Sequence, residues 1–134
     1  MAARDVVGRA VAAMRRLPGI LLVAGAALDL IGRAVTVEML WVAGAHLLTA
    51  GVLLAIPAAI VVLAAHFRLP RYSVARRRAT WAAVLNGTAV AVFALARWLR
   101  GHPEIPPDPP ILAAEVIAAL VMVAVAVRLR ARSP

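Results

Sequence analysis

Four apolar stretches, each long enough to cross a lipid bilayer as a helix, dominate this chain of 134 residues. They run from about Leu17 to Ala34, Met39 to Ala65, Thr80 to Leu99 and Ile111 to Val127. A helix rises about 1.5 Å per residue, so roughly 20 residues span a hydrocarbon core of about 30 Å. Inside lipid the backbone must satisfy its own hydrogen bonds, which a helix does within one segment. The expected fold is therefore all-α: an integral membrane four-helix bundle, antiparallel and up-and-down. Composition agrees. Hydrophobic residues make up 64% of the chain, with a mean hydropathy of +0.92, whereas soluble domains are roughly half apolar.

The breaks between the stretches are marked by charge and proline. Residues 1–16 form a basic N-terminal segment that suits an interfacial helix with Arg heads toward anionic lipid, or a disordered tail. The membrane domain is expected over residues 17–127, and residues 128–134 form a basic C-terminal tail. Pro18 suits the first turn of a helix, where its missing N–H is not needed. Pro57 lies inside the second stretch and should kink it. The segment Phe67–Arg78 carries five Arg and no acid, and Gly101–Pro110 holds five prolines that favour a stiff, extended loop.

Charge sets the expected orientation. All fifteen basic residues are Arg and the net charge is +9. The absence of Lys points to a GC-rich bacterial genome. Arg4, Arg9, Arg15, Arg16, Arg68, Arg71, Arg76, Arg77, Arg78, Arg128, Arg130 and Arg132 fall on one side of the four spans. Only Arg33, Arg97 and Arg100 fall near the other. Basic loops stay in the cytoplasm, so both termini are expected there, in the inner (plasma) membrane. Contacts to anionic headgroups are expected from Arg15, Arg16, Arg68, Arg71, Arg76, Arg77, Arg78, Arg128 and Arg130. Nucleic acid is not an expected partner, because the Arg residues flank apolar runs. A cleaved secretory signal ending near Ala24-Gly25-Ala26 is the competing reading of the N-terminus; a retained first helix is expected.

The stretch from Leu17-Pro18 to Asp29-Leu30, the loop from Leu69-Pro70-Arg71 to Arg76-Arg77-Arg78, Asn86, and Arg97-Trp98-Leu99-Arg100 follow a pattern. Over about residues 17 to 100 it resembles that of bacterial four-helix membrane proteins of the domain of unknown function 2231 family. The resemblance implies four helices and no settled activity; some members of that family are fused to iron–sulfur domains. Two departures stand out. The family often has a His-Pro pair before the first helix, but residues 10–16 contain no His. It often has a His four residues before the third-helix Asn, and here Ala82 stands there. A cofactor carried by those histidines in relatives would be lost in this chain.

Ionisable groups inside hydrocarbon are costly, and each is a functional candidate by default. Asp29, Arg33, His46, Arg97 and Glu115 all fall in the half of the membrane away from the Arg-rich loops, with Glu38 at its edge. Asp29 and Arg33 are four residues apart and share a helix face. Asn86, Phe93 and Arg97 line another, as do His46 and Thr49. The first expectation is structural: Asp29 and Glu115 neutralise Arg33 and Arg97, while Asn86 and Thr49 hydrogen-bond across helices. The alternative is an ion or proton site using Asp29, Glu115 and His46.

Little else suggests chemistry. There is no cysteine, so thiolate nucleophiles and thiolate metal sites are excluded. Phosphate-binding glycine loops and zinc-helix motifs are absent. His46 and His66 lie roughly 20 residues apart, about 30 Å along a helix, and His102 sits in the Pro-rich loop. No haem, metal or other cofactor is expected. Gly25, Gly32, Gly44 and Gly51 permit close helix approach within the chain or with a second copy. The expected role is that of a non-enzymatic accessory or interaction protein, in company with a membrane-protein partner or as a homo-oligomer. Ion- or proton-coupled transport and membership of an electron-transfer system are the alternatives.

Overall fold

Each apolar stretch forms part of a helix longer than itself in the computed structural model, which describes residues 2–132. The helices are α1 (Ala2–Val35), α2 (Glu38–Phe67), α3 (Val74–Arg100) and α4 (Pro109–Ala131). Among the described residues there is no strand, and all four helices are long and apolar enough to cross a membrane. Met1 of the basic N-terminal segment and Ser133 and Pro134 of the C-terminal tail lie outside the described residues.

The helices outrun their apolar stretches because the flanking residues are themselves good helix formers. Residues 2–16 are mostly Ala, Arg, Val and Met, and the single Gly8 and Asp5 among them are too few to stop a helix. They join the first span in one helix of 34 residues, about 50 Å long. Pro18 consequently lies inside α1 and not in its first turn. This arm is continuous with the apolar stretch that follows, and its side chains are almost all exposed. Helix α3 likewise starts before the apolar run. The Ser73 hydroxyl oxygen accepts a hydrogen bond from the Arg76 N–H at 3.1 Å, satisfying one of the free donors of the first turn.

The two connections at one end of the bundle differ in kind. Only Thr36 and Val37 join α1 to α2, and Thr36 takes a positive φ of 57° to turn the chain. Residues 101–108 join α3 to α4. Gly101, with φ of 72°, ends α3 in a conformation that residues with a Cβ rarely adopt. Pro109 and Pro110 then occupy the first turn of α4, where no intrahelical N–H donor is required. The expected extended proline segment is therefore split between a loop and a helix start. Pro107 is fully buried near the α4 end of that loop.

Core positions follow one stripe per helix. In α1 they are Pro18, Leu22, Gly25, Ala26, Asp29 and Gly32; in α2, Trp41, Gly44, Ala45, Leu48, Gly51 and Ala58. In α3 they are Ala89, Phe93, Ala96 and Arg100, and in α4 Glu115, Ala118 and Val125. Steps of three and four residues keep each set on one face. Hydropathy alone does not reveal these faces, because lipid-facing positions are apolar too. Small residues mark them. A Cβ on Gly25 would lie 3.0 Å from the Gly44 carbonyl oxygen, and one on Gly51 would lie 2.8 Å from the Leu22 side chain. Helices α1 and α2 thus meet backbone to backbone, the contact that small residues permit in membrane helices. Leu22, Ala26, Leu48, Ala89, Phe93 and Ala118 close the core between all four helices. Toward the Arg-rich connections the burial fades, and no α3 residue before Ala89 is buried.

Candidate functional site

The core stripes carry three charged residues into the bundle, and all three meet at the same end. Asp29 and Glu115 are fully buried, and Arg100 is 4% exposed. Arg100 reaches across the bundle from α3 to α1. Its Nη1 donates to Asp29 Oδ1 at 2.9 Å and to Oδ2 at 2.8 Å. Nη2 donates to the backbone carbonyls of Trp41 (2.8 Å) and Pro103 (3.1 Å), and Nε to that of Ile105 at 2.7 Å. The guanidinium has a planar fork of five N–H donors, and every nitrogen of it is engaged by the chain itself. The site is thereby closed. The Pro-rich loop is fastened over it through Pro103 and Ile105, and Trp41 Nε1 donates to the Glu104 carbonyl at 3.1 Å.

Room for the Asp29 carboxylate exists because the facing residue is glycine. A Cβ on Gly44 would stand 2.5 Å from Asp29 Oδ1 and 2.9 Å from the Gly25 carbonyl oxygen. The small-residue contact of α1 with α2 and the buried ion pair are therefore parts of one arrangement.

Glu115 completes the site from α4. Its carboxyl lies beside that of Asp29. Among the described residues no donor is hydrogen-bonded to either of its oxygens. Two ionised carboxylates have no proton to share, so the contact becomes a hydrogen bond only when one of them carries one.

The sequence candidates are distributed unevenly around this centre. Asp29 and Glu115 come together, but Asp29 takes Arg100 as its partner and not Arg33 or Arg97. Arg33 is exposed near the end of α1, and His46 is exposed on α2. Arg97 is half-buried. Its Nε donates to Thr49 Oγ1 at 2.9 Å and its Nη1 to the Gly101 carbonyl at 2.7 Å. Thr49 Oγ1 donates in turn to the Ala45 carbonyl, so Thr49 links α2 to α3 through Arg97. Asn86 is half-buried and makes no hydrogen bond to another helix among the described residues.

Arg100 and Trp41 were not among the sequence candidates. Arg100 stands at the last position of an apolar helix, where arginines ordinarily reach into headgroups. The signal that finds it is its spacing. Phe93, Ala96 and Arg100 follow Ala89 in steps of four, three and four residues, so Arg100 lies on the core stripe. Arg97, one position off that stripe, lies at its flank.

The arginines expected to meet lipid headgroups lie away from this centre. Arg15, Arg16, Arg68, Arg71, Arg77, Arg78, Arg128 and Arg130 are exposed. Arg76 is half-buried, with Nη1 3.4 Å from the Leu69 carbonyl oxygen. Among the described residues no three His, Asp or Glu side chains are grouped as metal ligands. No family model, curated protein or solved structure matches this chain.

Proposed function

We propose that the protein is a small multi-pass protein of a bacterial inner membrane that acts without enzymatic chemistry, as an accessory or interaction partner of other membrane proteins. The observation that carries this reading is the closed polar centre. Arg100 gives every nitrogen to its own chain, and neither buried carboxyl is exposed. A substrate site needs convergent polar groups left free in a concave space, and here they are turned on one another. Such a network fixes helix register.

An antiparallel, up-and-down order is supported by the contacts of α1 with α2. Pro18 and Leu22 face Gly51, Gly25 faces Gly44, and Gly32 faces Leu40 and Trp41. Numbers that rise on one helix fall on the other. A cytoplasmic location of both termini is supported by the twelve Arg outside the spans on one side. Those residues would meet anionic headgroups, and the long arm of α1 would stand in the cytoplasm. Membership of the domain of unknown function 2231 family is part of the proposal, on the pattern of residues that carries the resemblance.

Purification in native lipid followed by mass spectrometry of co-purifying proteins tests this reading. A defined membrane-protein companion is expected at constant ratio, and a lone monomer would refute it. The unmatched Glu115 carboxyl favours a second reading, coupling to an ion or proton. In that case Asp29→Asn and Glu115→Gln abolish a measurable flux while the fold persists; loss of thermal stability alone rejects it.

A further inference from the structure

We propose that Glu115 binds a proton and donates it in a hydrogen bond to ionised Asp29, making the buried end of the bundle a one-proton site with Arg100 as its fixed countercharge. This goes beyond the accessory reading and does not depend on it.

The first argument is one of donors. Glu115 is fully buried and both of its oxygens lack a partner. Every nitrogen of Arg100 is committed to Asp29, Trp41, Pro103 or Ile105, and Arg97 holds Thr49 and Gly101 through Nε and Nη1. Trp41 Nε1 holds Glu104. Among the described residues, the polar side chain beside Glu115 that is not already committed as a donor elsewhere is the Asp29 carboxyl, itself an acceptor when ionised. A proton on Glu115 supplies the missing donor.

The second argument is one of charge. The titratable and charged groups facing the site are Asp29 from α1, Arg97 and Arg100 from α3, and Glu115 from α4. Helix α2 brings the Trp41 carbonyl, while its Glu38 and His46 are exposed, as are Arg33 of α1 and His102, Glu104 and Asp108 of the loop. Arg100 neutralises one carboxylate. A second ionised carboxylate beside the first would be a net buried charge, which is costly away from water. Paired carboxyls elsewhere resolve the same conflict by sharing one proton. The site therefore tolerates one negative charge, whichever residue carries it.

That count makes an unusual demand. When Asp29 becomes neutral, Glu115 must lose its proton to serve Arg100. Infrared spectroscopy of the full chain in lipid bilayers at neutral pH reads this directly, since a protonated carboxyl has a carbonyl stretch separate from that of a carboxylate. The wild type should show one such band that moves in deuterated water. Glu115→Gln should lack it, and Asp29→Asn should lack it too, although Glu115 is still present. Isotope-labelled glutamate should move the wild-type band and labelled aspartate should not, which assigns the proton even if a variant fails to fold. No band in the wild type, a band that follows aspartate labelling, or a band retained in Asp29→Asn would each overturn the proposal.

Discussion

Gly44→Ala isolates the dependence of the buried ion pair on a missing side chain. The added methyl carbon would lie 2.5 Å from Asp29 Oδ1, where ordinary contact begins at 3.4 Å, so one of them must move by about 0.9 Å. It cannot move toward α1, because the Gly25 carbonyl oxygen stands at 2.9 Å. Nor can Asp29 yield freely, being held by Arg100 at 2.8 Å. Overpacking of this kind costs about 1–3 kcal/mol, and breaking a buried pair outright costs about 3–5 kcal/mol. Helix propensity returns up to about 1 kcal/mol. Since Asp29 must give way to the methyl and so leave Arg100, the expected net loss is about 2–4 kcal/mol. Gly87→Ala is the control, because nothing lies within 4 Å of its would-be Cβ. The same substitution there should stabilise by up to about 1 kcal/mol. Equilibrium unfolding in detergent micelles, followed by circular dichroism, measures both. If Gly44→Ala matches the wild type or gains stability as Gly87→Ala does, then the close packing of α1, α2 and Asp29 is not what holds this end together.

Three further outcomes are expected. Arg100→Met removes the cation and strands the Asp29 carboxylate, and should lower stability by about 3–5 kcal/mol in the same unfolding measurement. Trp41→Phe removes one hydrogen bond to the loop. It should cost about 1 kcal/mol and speed hydrogen exchange over residues 101–108, read by mass spectrometry, while leaving exchange in the Arg-rich loop unchanged. Ser73→Ala removes the cap of α3 and should cost about 1 kcal/mol, with new exchange confined to the first turn after Ser73.

The helices were legible because lipid demands long apolar runs, and Asp29 and Glu115 were legible because charge is rare in such runs. Helix ends were not. Hydropathy stops at Leu17 and Thr80, yet the backbone continues in helix to Ala2 and Val74 through residues with no reason to break it. Partner choice was also hidden. Asp29 and Arg33 are neighbours along a helix, but Arg33 ends exposed while Asp29 points into the bundle. Long-range pairing depends on which stripe faces the core. In a membrane helix that stripe is distinguished by small residues more than by apolarity, as Gly25, Gly44 and Gly51 illustrate.

The Asp29–Arg100 pair also orders events during synthesis. The two residues are separated by 71 positions. The first two helices can therefore reach lipid, with Asp29 already in place against Gly44, before its countercharge has been made. Until α3 arrives, the half-built protein carries a lone carboxyl in its apolar interior, and it must take up a proton or keep that end near water. Arg100 supplies that countercharge and, through the same guanidinium, holds the loop over the site.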